Sequence, residues 1–241
     1  MGNILEAKGL RKTFGWLAAV DDLSFEVIEG EILGVMGPNG AGKTTAFNLI
    51  TGALKPDKGT IIFKGRDITQ DSPAKRCRLG IGRTYQIPKP FEKMTVFENL
   101  LVAGVHGGGL SEKQAREEAL EILEMIHLAH LKDNFAGGLS LLNRKRLELG
   151  RALATKPSLV LIDEVAGGLT DKEVEEVLKI VKETQKKGIT VIWIEHILRM
   201  LSEGVDRLLV ISEGHRLQCG EPGEVMCSKD VMECYLGTEE D

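Results

Sequence analysis

Directly after the apolar run "EILGVM" (31–36) the chain reads "GPNGAGKTT", residues Gly37, Pro38, Asn39, Gly40, Ala41, Gly42, Lys43, Thr44 and Thr45. The spacing of Gly37, Gly42, Lys43 and Thr44 is G-x-x-x-x-G-K-[ST]. Glycines at these positions let the backbone curl so that successive N–H groups point inward at phosphate oxygens. A helix that follows adds the positive end of its dipole. Lys43 can reach terminal phosphates of a nucleotide, and the Thr44 hydroxyl can hold Mg²⁺. A glycine-rich turn that matches by chance is the competing reading, and the placement between an apolar strand and a helix speaks against it.

Other residues add chemistry to that loop. In "LVLIDE" (Leu159–Glu164) an apolar strand ends in two acids. Asp163 suits a water-mediated contact with Mg²⁺, and Glu164 suits a general base that polarises an attacking water. In "VIWIEH" a second buried strand delivers Glu195 and His196. Such a histidine is often a surface or capping residue, but beside a nucleotide it can donate to the γ-phosphate and orient water or Glu164. Gln86, in "GRTYQIPKP", could ligate Mg²⁺ or its water through a neutral amide. Each of these means little in isolation. Their order along the chain carries the reading.

The elements that would position them form an α/β pattern. Candidate strands are 23–28, 31–36, 60–65, 158–163, 189–194 and 206–211, and "SLVLI" and "ITVIWI" are nearly continuous apolar runs, as expected of strands buried on both faces. Between Pro88 and about Lys156 the pattern turns helical: 95–105 forms one helix, "GGG" at 107–109 breaks it, and Ser111 opens another. Gln114 completes a capping box with Ser111, and Ala115, Ala119, Ile122, Leu123 and Ile126 continue at helical spacing.

The 241 residues allow one large domain, and 42% hydrophobic with 28% charged residues is a globular composition. A net charge of −5 gives no electrostatic reason to expect nucleic acid as a partner. The basic clusters "AKRCR" (74–78) and "NRKR" (143–146) are expected on solvated helix faces. Cys77, Cys219, Cys227 and Cys234 lack zinc-like spacing and are expected as reduced thiols. No run of about 18 apolar residues predicts a membrane span. The start, "MGNILEAKGLRK", lacks the apolar stretch of a secretory signal and fits a lipidation motif poorly.

Read in order, Phe14 in "KTFGWLAAVDDLSFEV", "GPNGAGKTT", Gln86, "LSLLN" (139–143), "LVLIDE" and His196 resemble the ATPase subunits of ATP-binding-cassette (ABC) transporters over essentially the whole chain. The segment Leu79–Ala103 is similar to the branched-chain amino-acid uptake branch of that family. The resemblance implies a P-loop, RecA-like α/β core with an N-terminal antiparallel β subdomain and an inserted α-helical subdomain. Within a single domain over 1–241, the core with its β subdomain would take about 1–86 and 157–220, the helical subdomain about 87–156, and a C-terminal helix and tail 221–241.

It also implies ATP and Mg²⁺. Phe14 would stack on adenine, with Val20 also assigned to the nucleotide, and Gly37–Thr45 would bind the triphosphate. Thr44 and Gln86 would sit at Mg²⁺ with Asp163 behind them through water. Glu164 would be the catalytic base and His196 the γ-phosphate switch. Ser140, at the start of a helix, would contact ATP held by a second ABC ATPase subunit, identical or, as favoured, different. Transporter membrane subunits and an external solute-binding protein complete the implied system, with this chain peripheral on the cytoplasmic face of the membrane and no nucleic acid bound. The signature departs from Leu-Ser-Gly-Gly-Gln by placing Leu141, Leu142 and Asn143 after Ser140, Val165 follows the base where proline is common, and Thr170 stands where an aspartate is usual. Two other readings stay open. One is a non-transport ABC ATPase acting on nucleic acid or ribosomes, although no tandem cassette, long coiled coil or basic face is visible. The other is a module that holds ATP with poor turnover, which Leu141 and Leu142 suggest and the presence of Glu164 and His196 opposes.

Overall fold

The alternation of apolar and polar residues near the N-terminus builds long antiparallel strands, and the continuous apolar runs build short buried parallel ones. A computed structural model describes residues 2–236. The chain divides into two compact units, one running to Pro73 and resuming at Thr190, the other Ala74–Ile189.

The first unit begins with β1 (Asn3–Phe14), β2 (Leu17–Ile28), β3 (Ile32–Met36), α1 (Lys43–Thr51), β4 (Lys58–Phe63) and β5 (Arg66–Asp67). The second holds α2 (Pro73–Arg78), β6 (Ile81–Arg83), α3 (Val96–Val102), α4 (Glu112–Met125), α5 (Leu141–Ala154), β7 (Leu159–Asp163) and α6 (Asp171–Lys186). The first resumes with β8 (Thr190–Ile194), α7 (Leu198–Gly204), β9 (Arg207–Ser212), β10 (His215–Gly220), α8 (Pro222–Met226) and α9 (Lys229–Leu236). Residues 237–241 of the expected C-terminal helix and tail, 221–241, lie outside the described residues.

In the first unit, β2, β1, β4 and β5 form an antiparallel sheet. Beside it, β3 runs parallel to β8 and β9, with β10 antiparallel on β9. Every residue of β3 and β8 is buried. In the second unit β6 pairs parallel with β7, also wholly buried. Helices α3, α4 and α5 pack on one another there. The expected capping box at α4 is present: Gln114 N–H donates to Ser111 Oγ, and the Ser111 N–H donates to Gln114 Oε1. The "GGG" run begins at the last residue of a π-helical turn over Ala103–Gly107 that continues α3, and the helix ends there.

One expectation is corrected. The basic clusters are not solvated throughout: Arg76 is 1% exposed, and Lys145 and Arg146 are buried. Partners distant in sequence accept their charge: Lys145 Nζ donates to the Gly167 carbonyl at 2.6 Å, and Arg146 pairs with Glu176. The four cysteines are free thiols, and no helix among the described residues is long and apolar enough to cross a membrane.

Candidate functional site

The loop after β3 is shaped by backbone crowding. A Cβ at Gly37 would lie 2.1 Å from the Ile211 carbonyl oxygen, and one at Gly42 (φ 101°) would lie 2.3 Å from that of Ala19. Only glycine fits either position. Lys43, the first residue of α1, folds back and donates from Nζ to the carbonyls of Gly37 (2.6 Å) and Pro38 (2.9 Å). The loop is braced by Ala41 N–H on the Pro38 carbonyl and Gly214 N–H on the Ala41 carbonyl.

At the start of α1 the cap residue is Gly42, which has no side chain to satisfy the first-turn N–H groups, and that turn carries no acid. A helix end with positive dipole, no side-chain cap and no competing carboxylate fits a polyphosphate. Asn39, Gly40 and Thr44 are exposed, with Pro38 and Thr45 half-buried. Phe14 ends β1 half-exposed, with Lys12 Nζ 5.9 Å from its ring centre. Val20 is fully buried, and an added Gly42 Cβ would meet its Cγ2 at 3.4 Å, so it lies against the loop's backbone. His196 follows β8 exposed, beside the buried Glu195. Tyr235 on α9 hydrogen-bonds with the Gly37 backbone, and desolvation pushes its hydroxyl up to about 12.

In the second unit, β6 and the residues after it hold both acids in turn. Arg83 Nη2 donates to Asp163 Oδ2 at 3.1 Å, with both side chains buried. Thr84 Oγ1 accepts from the Asp163 N–H at 3.0 Å, and the Thr84 N–H donates to the Leu161 carbonyl. Gln86 Nε2 donates to Glu164 Oε2 at 2.5 Å. Glu164 adopts φ 46°, a left-handed conformation that costs a side-chain-bearing residue energy and re-aims its carboxylate as β7 ends. Gln86, Asp163 and Glu164 are therefore brought together as expected. With its nitrogen on Glu164, Gln86 keeps its carbonyl oxygen for a hard cation, and the oxygen donors of Gln86 and Asp163 within this unit are of the type that suits Mg²⁺.

Ser140 caps α5, its hydroxyl accepting from the Asn143 N–H at 3.4 Å. Beside it lies a cavity of about 530 Å³ lined in part by Asp133, Asn134, Phe135 and Asn143. Leu141 is half-exposed in ordinary helical conformation, so the missing signature glycines cause no backbone strain here. A Cβ on Gly168 (φ 77°) would stand 3.4 Å from a Leu141 methyl. Further along α5, burial pushes the Glu148 carboxyl up, opposed by Arg151 and by N–H donors of Tyr85 and Lys89. Arg83, Thr84, Lys145 and Glu148 are functional candidates that the sequence reading missed. Arg83 stands in the segment read for Gln86, but its partner is 80 residues away.

Comparison with known proteins places the chain in one family. Residues 20–167 match the family model described as ABC transporter. A probable branched-chain amino acid transport ATP-binding protein, LivG, of Methanocaldococcus jannaschii is 37% identical, with 97% of each chain covered. The lipopolysaccharide export system ATP-binding protein LptB of Haemophilus influenzae is 34% identical over 98% of each chain. Among solved structures, the ADP conformation of an ATP-binding cassette of an ABC transporter matches with a TM-score of 0.89 at 36% identity, covering 98% of this chain and all of that one.

Proposed function

This chain belongs to the ABC transporter family and is an ATPase of it, and from that premise we propose that it energises import of branched-chain or other hydrophobic amino acids through partner membrane subunits. Support for the solute comes from the 37% identity to LivG and from the segment Leu79–Ala103. Lipopolysaccharide export is a second reading, favoured by the 34% match to LptB over nearly the whole of both chains.

In the proposed mechanism Phe14 stacks on adenine, Val20 backs the loop, and Gly37–Thr45 wraps the phosphates with backbone N–H groups. Lys43 leaves its two loop carbonyls to meet β- and γ-phosphate oxygens. Thr44 and Gln86 would hold Mg²⁺, with Asp163 behind them through water. When bound, that ion neutralises charge on the phosphates. Glu164, oriented by Gln86, takes the proton of the attacking water, and His196 donates to the γ-phosphate. Ser140 and the first turn of α5 serve the ATP of a second ATPase subunit, so ATP favours the closed pair and hydrolysis releases it. An external binding protein would deliver the solute.

The observation that carries the hydrolytic reading is the pair of acids at the end of β7, one ion-paired to Arg83 and the other hydrogen-bonded to Gln86. The test is reconstitution with the cognate membrane subunits in vesicles, following labelled leucine uptake and lipopolysaccharide release. ATP-dependent leucine accumulation supports import. Lipopolysaccharide transfer without leucine uptake replaces it with the second reading.

A further inference from the structure

One face of α5 touches both segments that frame the acids. Leu141, Lys145 and Glu148 stand at i, i+4 and i+7, hence on one side of the helix. Leu141 lies over Gly168, and Lys145 Nζ holds the Gly167 carbonyl, so the first turn and a half grips the stretch just beyond Glu164. Glu148, 5% exposed, then accepts from the backbone N–H groups of Tyr85 and Lys89, on either side of Gln86. Arg151 completes the grip from the same helix. Its Nη1 donates to Glu148 Oε2 and to the Lys89 carbonyl, each at 2.9 Å, and its guanidinium lies 5.0 Å from the Phe91 ring centre. Beyond this the segment is pinned by the buried Asn99, which accepts from the Phe91 N–H and donates to the Phe91 carbonyl.

Pro88 has no N–H and the exposed segment forms no ladder of its own, so a buried carboxylate does the work that a neighbouring strand would do elsewhere. A charged acceptor makes each of those hydrogen bonds stronger than a neutral one would. Removing it leaves two backbone donors to water and releases the segment that carries Gln86 from the helix.

We propose that Glu148, backed by Arg151, is a positioning residue that ties the Gln86 segment to α5, so that whatever engages Ser140 at the N-terminus of the helix is felt at Gln86 and Glu164. The distance is about 12 Å along a rigid helix, from eight residues at 1.5 Å each. The inference rests on the proposed roles of Gln86, Glu164 and Ser140 in ATP turnover, and it adds a physical connection between the signature turn and this chain's own catalytic base.

The test uses the full chain with its membrane subunits and the variants Glu148→Ala, Glu148→Gln and Ser140→Ala. Glu148→Ala is expected to lower kcat by about tenfold or more, as small displacements of catalytic groups do, with KM and ADP affinity within about twofold. Glu148→Gln, which keeps one acceptor oxygen, falls between the two. Hydrogen exchange at the Tyr85 and Lys89 amides speeds up in Glu148→Ala, while the amides of Gly37–Thr45 keep their rates. In a double-mutant cycle the Ser140→Ala and Glu148→Ala losses in kcat are non-additive. The proposal is overturned if both Glu148 variants turn over at the parent rate, if kcat and ADP affinity fall together, or if the cycle is additive. Should Glu148→Ala fail to fold, Glu148→Gln decides alone by the same kcat, affinity and exchange criteria. A Glu164→Gln chain that still hydrolyses ATP at the parent rate defeats the catalytic reading instead, and the exchange result stands apart from that failure.

Discussion

The phosphate loop and the acid frame are built from opposite materials. Gly37–Thr45 is a backbone device: two glycines that admit no Cβ, an uncapped helix start and a lysine folded onto its own loop, all within nine consecutive residues. The frame around Asp163 and Glu164 is a side-chain device assembled from Arg83, Thr84, Gln86, Lys145 and Glu148, whose partners lie tens of residues away. A backbone device is broken by adding atoms. A side-chain device is broken by removing them. The loop should accordingly govern whether nucleotide binds, and the frame whether bound nucleotide is turned over.

The largest effect is expected at Gly42. Gly42→Ala forces a methyl onto the Ala19 carbonyl at a left-handed φ, and ADP affinity measured by calorimetry should fall by about a hundredfold or more, from the loss of several backbone contacts to phosphate. Unchanged ADP affinity would break the comparison from the loop side. Next comes Arg83→Met, which removes one partner of a buried ion pair. Denaturant melts should show a loss of about 3 kcal/mol, and a loss under 1 kcal/mol would mean the frame does not depend on that pair.

Gln86→Ala should slow turnover by about tenfold, from the misorientation of Glu164, while leaving ADP affinity within about twofold, and a matching fall in affinity would blur the division. The smallest effect is at Asp57, which accepts from Lys12 Nζ and from the Thr13 N–H and hydroxyl, next to Phe14. Those donors hold its carboxyl at about 2, below the ordinary 3.8. A lowered carboxyl stabilises the fold above its unfolded value and loses that stabilisation as pH falls through the folded one. The small stability advantage over Asp57→Asn should be present at pH 7 and shrink between 3.8 and about 2. An advantage that does not change over that range would remove the ionic origin.

The same contrast explains what could be read from the sequence. The loop, the capping box at Ser111 and the buried strands are local patterns, and each was legible from consecutive residues. Gln86, Asp163 and Glu164 were legible as types in order, and the structure brings those three together. The clamp on them was not. Lys145 and Arg146 looked like a solvated basic face because Gly167 and Glu176, which accept from them, stand 22 and 30 residues on. Leu141 looked like a damaged signature, and only the structure shows it settled against Gly168 in unstrained helix. Strand β6, three residues long, was too short to carry a periodicity, yet it delivers Arg83.

The division of labour is tested most directly by Glu164→Gln in the reconstituted transporter, measuring ATP binding and ATP turnover on the same preparation. The account predicts that ATP binds with affinity within about twofold of the parent while turnover falls by about a hundredfold or more, the scale of a lost general base. Turnover at the parent rate, or loss of binding in step with turnover, would contradict it.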